Sequence, residues 1–222
     1  MMVCREKEMS SENIVLLSRS FCGWETSDMQ KVKKLCDTDE LRKVVQTYRT
    51  IMNNFEGCKK ESVEEFDEKE YSIFYMLNMR SEEWRKNYFC VLNEYRGSKE
   101  IDYEVILDKI SIDDNRVEAS YASKLLATID SDCPIIDSCV RFVLGIGDAE
   151  GKDFKERKKD AIKKYEWLKS FYTNDKYGDF RKKCLKIFND VISKDDRISK
   201  TKKIDFILWW MGKKKIMVGF DT

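Results

Sequence analysis

The sequence contains no histidine and only one proline in 222 residues. The first absence excludes Ser-His-Asp and Cys-His catalysis, His-based zinc sites and an imidazole general base. Acid–base work must then fall to Asp, Glu, Lys, Tyr or Cys. One proline and nine glycines cannot furnish the turns that a β-sandwich or barrel needs about every 8–12 residues. No apolar run reaches the roughly 18 residues that a membrane-spanning helix requires. The eight cysteines (Cys4, Cys22, Cys36, Cys58, Cys90, Cys133, Cys139 and Cys184) form no C-x-x-C pair. Without tight pairs, neither a zinc ribbon nor an iron–sulfur cluster is expected. The N-terminal stretch MMVCREKEMS is charged and has no apolar signal-peptide core. The expectation is therefore free thiols in a reducing cytoplasm, with no metal, no cofactor and no membrane.

What the chain does contain favours helix. Hydrophobic residues make up 42% and aromatics 12%, enough apolar volume for a core and too much for a disordered chain. Lys, Glu, Leu and Met are abundant, and all are good helix formers. The fold class expected is all-α, with nine or ten helices.

Met29 to Asn54 reads as one or two helices from Val32, Leu35, Leu41, Val45, Tyr48 and Ile51, with Asp28 and Asp39 as N-caps. Ser62 to Glu65 fits a capping box. Further helices are expected from Ser81, from Asp102 to Ile110, and from Asn115 or Arg116 to Ile129. Pro134 interrupts the pattern, and a helix restarts near Asp137-Ser138. Two Lys-rich amphipathic helices follow, Asp153 to Tyr172 and Tyr177 to Ser193. Ser199 opens a last helix that Gly212 is expected to end. Lys213 to Phe220 reads as a short extended piece. The apolar runs place Trp84, Trp209 and Trp210 in the core.

The net charge of +1 conceals a polarity. Gly151 to Thr222 carries 21 Lys and Arg against 11 Asp and Glu, or +10, whereas the first 150 residues carry 21 against 30, or −9. A basic third of this kind suits a polyanion such as DNA or RNA. It suits equally an intramolecular pairing of the two parts.

One segment carries a resemblance. Tyr121-Ala-Ser-Lys-Leu-Leu-Ala-Thr-Ile129 is followed by Pro134-Ile-Ile-Asp137-Ser-Cys-Val140-Arg141-Phe-Val143-Leu144-Gly145-Ile-Gly147. This stretch resembles the helix-hairpin-helix DNA glycosylase superfamily, in which a small-residue and Leu-rich helix leads to Pro–apolar–apolar–Asp and then Val-x-x-Val-Leu. Near the C-terminus, Ile204-Asp205-Phe-Ile-Leu208-Trp-Trp-Met-Gly212 is similar to the family's late helix. The resemblance implies a two-lobed α fold with DNA bound between the lobes. Residues 26–131 would form a barrel-like lobe, and 1–25 with 132–222 a second, basic lobe.

The resemblance also implies a site. Asp137 would be the catalytic carboxylate, held at a helix start whose dipole favours the ionised form. A carboxylate there can stabilise the positive charge that develops on deoxyribose as a flipped base departs, or orient the attacking water. The competing reading is that Asp137 merely caps its helix. Tyr121, Lys124 and Ser138 would lie in or near the base pocket. Tyr121 could stack on a base or belong to the core, and Lys124 could face the same side or lie on the surface. Arg116, Arg141, Lys158, Lys159, Lys182 and Lys183 are candidate phosphate contacts, and Lys163, Lys164, Lys202 and Lys203 extend the same Lys-rich track.

Two departures from the family stand out. Its Gly-x-Gly hairpin, which grips a phosphate through backbone N–H groups, is replaced by Asp113 to Ala119 without glycine. Its Schiff-base lysine position is nearest to Tyr121, as in monofunctional members. The expected function is thus a monofunctional DNA N-glycosylase acting on a damaged or modified base, including bases of phage DNA. The alternative is a non-catalytic helical scaffold that binds nucleic acid or a protein. A nucleotide cofactor is not expected, because Gly145-Ile-Gly147 runs on into Asp-Ala-Glu.

Overall fold

A computed structural model describes residues 15–17, 26–57, 66–98, 101–112, 116–192 and 195–218. The expected capping box at residues 62–65, the N-terminal decapeptide and residues 113–115 of the hairpin stretch lie outside the described residues.

The described chain folds as β1 (Val15–Leu17), α1 (Thr26–Cys36), α2 (Asp39–Gly57), α3 (Glu68–Phe74), α4 (Glu82–Glu94), α5 (Tyr103–Ile110), α6 (Ala119–Ile129), α7 (Ser138–Leu144), α8 (Phe154–Thr173), α9 (Gly178–Val191), α10 (Lys200–Lys213) and β2 (Ile216–Val218). Short 3-10 turns cover Leu77–Met79 and Asp175–Tyr177. The architecture is helical, as expected, apart from one feature. β1 and β2 pair in parallel, Val15 opposite Ile216 and Leu17 opposite Val218, so the extended tail piece has a partner near the other end of the chain.

Most helix starts are set by a short polar side chain that accepts a backbone N–H the first turn cannot satisfy. Ser81 accepts from Trp84 N, Asp102 from Glu104 N, Asp153 from Glu156 N and Ser199 from Lys202 N. At α2 the cap is Thr38, whose hydroxyl accepts from Leu41 N at 3.2 Å, and Asp39 is the first helical residue. Asp28 likewise falls inside the first turn of α1. α6 begins at Ala119, three residues later than Arg116.

Gly212 does not end the last helix. It lies inside α10 and is buried. A Cβ at that position would sit 2.3 Å from the Cys139 carbonyl oxygen of α7. The glycine is there because two helix backbones approach at that point.

α10 is the centre of the structure, with residues 202–208 and 210–212 buried. It packs on α7, α9 and α1. Trp210 is fully buried and donates its indole N–H to the Leu35 carbonyl at 2.6 Å. α1 therefore sides with the C-terminal helices. On the other side, α5 packs on α4 and α6, and α2 on α3. Aromatic contacts tie the two groups together. Tyr48 of α2 meets Phe206 of α10 edge-on at 5.3 Å, and Tyr103 of α5 stacks on Tyr165 of α8 at 3.8 Å. Three buried hydroxyls are linked to one another, which offsets their burial. Tyr71 lies 2.9 Å from both Tyr88 and Thr128.

Candidate functional site

α7 is only seven residues long, and both of its ends are fixed. Asp137 caps its start, accepting from Val140 N at 2.8 Å. Gly145 closes its end in the left-handed region at φ 64°, with Ile146 N donating back to the Arg141 carbonyl at 2.8 Å. The extended residues just before Asp137 are held by three other helices. Tyr165 of α8 donates to the Pro134 carbonyl at 3.2 Å, Asp205 of α10 accepts from Ile135 N at 3.2 Å, and Ser123 of α6 accepts from Ile136 N at 3.0 Å. These three backbone groups of the strap end on buried side chains, and Asp137 is delivered at a fixed point.

That point is the wall of a cavity of about 1350 Å³. Tyr121, Lys124, Asp137, Ser138, Arg116 and Arg141 all line it, so the base-pocket group and two of the candidate phosphate contacts come together. Lys158, Lys159, Lys182 and Lys183 are not among the lining residues. Lys158 instead bridges Glu104 and Asp108 of α5 at 3.1 and 2.6 Å, which is the intramolecular pairing of basic and acidic parts. Lys182 pairs with Asp179 at 3.5 Å. Lys202 and Lys203, read as part of the Lys-rich candidate phosphate track, are buried at 3% and 6% exposure. The charged lining comprises eight Lys and Arg against six Asp and Glu, so the cavity is net positive.

Lys124 is not a surface lysine. Its ammonium donates to the Tyr75 carbonyl at 3.2 Å and lies 4.9 Å over the Tyr121 ring. Burial pulls it below the ordinary lysine range, against the opposing pull of Asp137 and Cys139. Tyr121 donates its hydroxyl to the next carbonyl, that of Met76, at 3.2 Å. Its ring also packs against Trp84 at 5.0 Å. Met76 is a non-glycine residue at φ 62°, a conformation that costs about 1–3 kcal/mol and persists only where neighbours enforce it. Tyr121 and Lys124 are those neighbours. They brace the turn before the 3-10 segment, and Met79, 68% exposed, projects from it at the cavity.

Where a hairpin would grip phosphate, α6 starts differently. Its first turn is preceded by Glu118, 4% exposed and ion-paired with Arg80, while Arg116 stands 3.7 Å away and exposed. The turn before α6 thus carries a buried, ion-paired carboxylate. Arg141, for its part, pairs with Asp148.

Three further lining residues bear on the chemistry of the cavity. Trp209 packs against the core and also lines the cavity, whereas its neighbour Trp210 is fully core as expected. Lys202 and Asp205 lie on the cavity floor, both buried, 3.9 Å apart. Asp205 also accepts from the Tyr172 hydroxyl. Burial pushes the Asp205 carboxyl up, opposed by Lys202, Tyr172 and Ile135 N and reinforced by Asp137. Burial pulls the Lys202 ammonium down, opposed by Asp205 and Asp137.

A raised carboxyl means that the folded chain keeps a proton the unfolded chain has released. The resulting stability is fully present below the ordinary Asp range and is lost as pH rises through the folded value. Asp205→Asn removes this contribution while retaining an acceptor for Ile135 N. Thermal melts are expected to show wild type losing stability relative to Asp205→Asn from about pH 4 to neutrality. Parallel pH profiles would contradict this.

Among the described residues, no helix is long and apolar enough to cross a membrane, and no three His, Cys, Asp or Glu residues gather as a metal site. Compared with protein-family models, curated proteins and solved structures, the chain gives no match.

Proposed function

We propose that this protein is a cytoplasmic DNA N-glycosylase that flips a damaged or modified base into the cavity and hydrolyses its N-glycosidic bond. The observation that carries the reading is the position of Asp137, held by a braced strap at the wall of a net-positive cavity beside Lys124 and Tyr121. A carboxylate that only capped a helix would not need a strap anchored by three helices or a cavity in front of it.

In the reaction, the C1′–N bond breaks and its electron pair leaves with the base. The Asp137 carboxylate faces the positive charge that develops on the sugar and lowers its cost. It then accepts a proton from the water whose oxygen bonds to C1′. Lys124 stays tied to the Tyr75 carbonyl and keeps the Tyr121 turn in place. DNA would lie across the basic rim that Arg116, Arg141 and Lys164 supply, in a cleft between two lobes as in the helix-hairpin-helix glycosylases.

One observation favours the second reading, a scaffold without catalysis. Glu118 at the start of α6 would repel a phosphate at the place where the family's hairpin binds one.

The test is the state of the DNA strand after incubation with the protein. The glycosylase reading predicts intact strands that break only on alkali treatment, the mark of an abasic site. Strands that nick without alkali and a protein–DNA adduct trapped by borohydride would assign Lys124 as an amine nucleophile instead. Strands that survive alkali across a panel of damaged and phage-type modified duplexes would leave the scaffold.

A further inference from the structure

Lys202 is buried, 3% exposed, yet it lies on the floor of the cavity. Its ammonium donates no hydrogen bond to any described residue. Its nearest carboxylate oxygen, Asp205 Oδ2, is 3.9 Å away and so beyond hydrogen-bond distance. Asp205 is itself engaged by Ile135 N and the Tyr172 hydroxyl, which hold it on the strap side. The other neighbour is the face of the Tyr48 ring, 5.2 Å from the ammonium. An ammonium with three N–H donors and no protein acceptor within hydrogen-bond distance therefore faces the cavity, ready for an acceptor that enters it.

The surroundings define what that acceptor can be. Asp137 lines the same cavity as Lys202, and its carboxylate would repel a phosphate there. Phe74, Tyr75, Phe206 and Trp209 also line the cavity, and their rings suit the faces of a flat molecule. The fitting ligand is a planar, uncharged heteroaromatic ring with a carbonyl oxygen as acceptor.

We infer that Lys202 is the hydrogen-bond donor that receives an oxo-bearing base on the cavity floor and stabilises that base as it leaves. This rests on the glycosylase reading for the identity of the occupant. As the C1′–N bond breaks, the negative charge that the base acquires spreads to its carbonyl oxygen, which faces the ammonium. The base takes a proton from Lys202 Nζ. The proton that Asp137 accepts from the attacking water restores the balance, so the net reaction is hydrolysis. Asp137 then works on the sugar side and Lys202 on the base side of the same bond.

The experiment is equilibrium binding of free hypoxanthine and of purine, its parent without the carbonyl, followed by tryptophan fluorescence, since Trp209 is in the cavity wall. Wild type is expected to bind hypoxanthine about tenfold or more tighter than purine, as a hydrogen bond from a charged donor allows. Lys202→Met and Lys202→Leu, which carry no donor, are expected to bind the two ligands within about twofold of one another. Thermal melts show whether each variant is folded. If neither is, the wild-type preference for hypoxanthine over purine decides alone.

Equal binding of the two ligands by wild type, a preference that survives in a folded variant, or no binding of either at millimolar concentration would overturn the assignment. No step of this test needs DNA or cleavage. Lys202-dependent base binding together with no base release from any duplex would sink the glycosylase reading and leave the site. Base release that is indifferent to Lys202→Met would do the reverse.

Discussion

Asp137→Asn is expected to fold like wild type and bind DNA like wild type, yet to release no base. Asparagine caps a helix about as well as aspartate, so the hydrogen bond to Val140 N survives. What it lacks is the negative charge. If Asp137 faces the charge that develops on the sugar, the rate falls at least about 100-fold, as it does when a preorganised electrostatic partner is removed. Asp137→Ala separates the two roles from the other side. It loses both cap and charge, and is expected to cost about 1 kcal/mol of stability on top of the loss of activity. A purely capping aspartate predicts a different pattern: Asn silent in every assay, and Ala destabilised but active wherever it is folded. Melting curves and abasic-site counts on the same two variants decide between them.

Gly212→Ala is the second large effect. The added Cβ would meet the Cys139 carbonyl oxygen, carbonyl carbon and Cα at 2.3, 2.6 and 2.7 Å. All three are backbone atoms, so no rotamer change relieves the clash and α7 must move off α10. Overpacking of this kind costs about 1–3 kcal/mol or more. In a chain of this size, each kcal/mol lowers the melting temperature by roughly 2–4 °C. The effect does not stop at stability. Cys139 lies two residues beyond Asp137 on α7, and the displaced helix carries the carboxylate away from its place on the cavity wall. Gly212→Ala is therefore expected to lower base release in the fraction that remains folded, although residue 212 is not among those that line the cavity. An alanine variant with an unchanged melting temperature would mean that the two helices have slack that the packing does not show.

Several helix starts were legible because they rest on local chemistry. Ser81, Asp102, Asp137, Asp153 and Ser199 each precede an apolar-periodic run, and each accepts a hydrogen bond from the first turn. Asp39 was misplaced by one residue because Thr38 beside it is an equally good acceptor. Gly212 read as a helix stop because a glycine before lysines usually is one. Only the tertiary approach of Cys139 reveals its use.

The site was legible in part. Asp137, Tyr121 and Lys124 line one cavity, and the segment that pointed to them is held by Asp205 and Ser123 through its backbone N–H groups. Lys202 was not legible as a cavity residue. A lysine in a run of lysines belongs to solvent by default, and nothing in Thr201-Lys202-Lys203-Ile204 says that the helix start turns inward. Its burial follows from α10 running through the middle of the fold, a fact about topology and not about local sequence. The same holds for the basic track. Counting charge could not show that Lys158 would be spent on Glu104 and Asp108.

The most direct measurement of the central claim is mass spectrometry of free bases released from duplex DNA carrying a panel of damaged and phage-type modified bases, with wild type and Asp137→Asn run side by side. The account predicts release of at least one oxo-bearing base by wild type and none by Asp137→Asn, with both proteins binding the duplex. Release that is equal in the two proteins, or absent from wild type on every duplex, would contradict it.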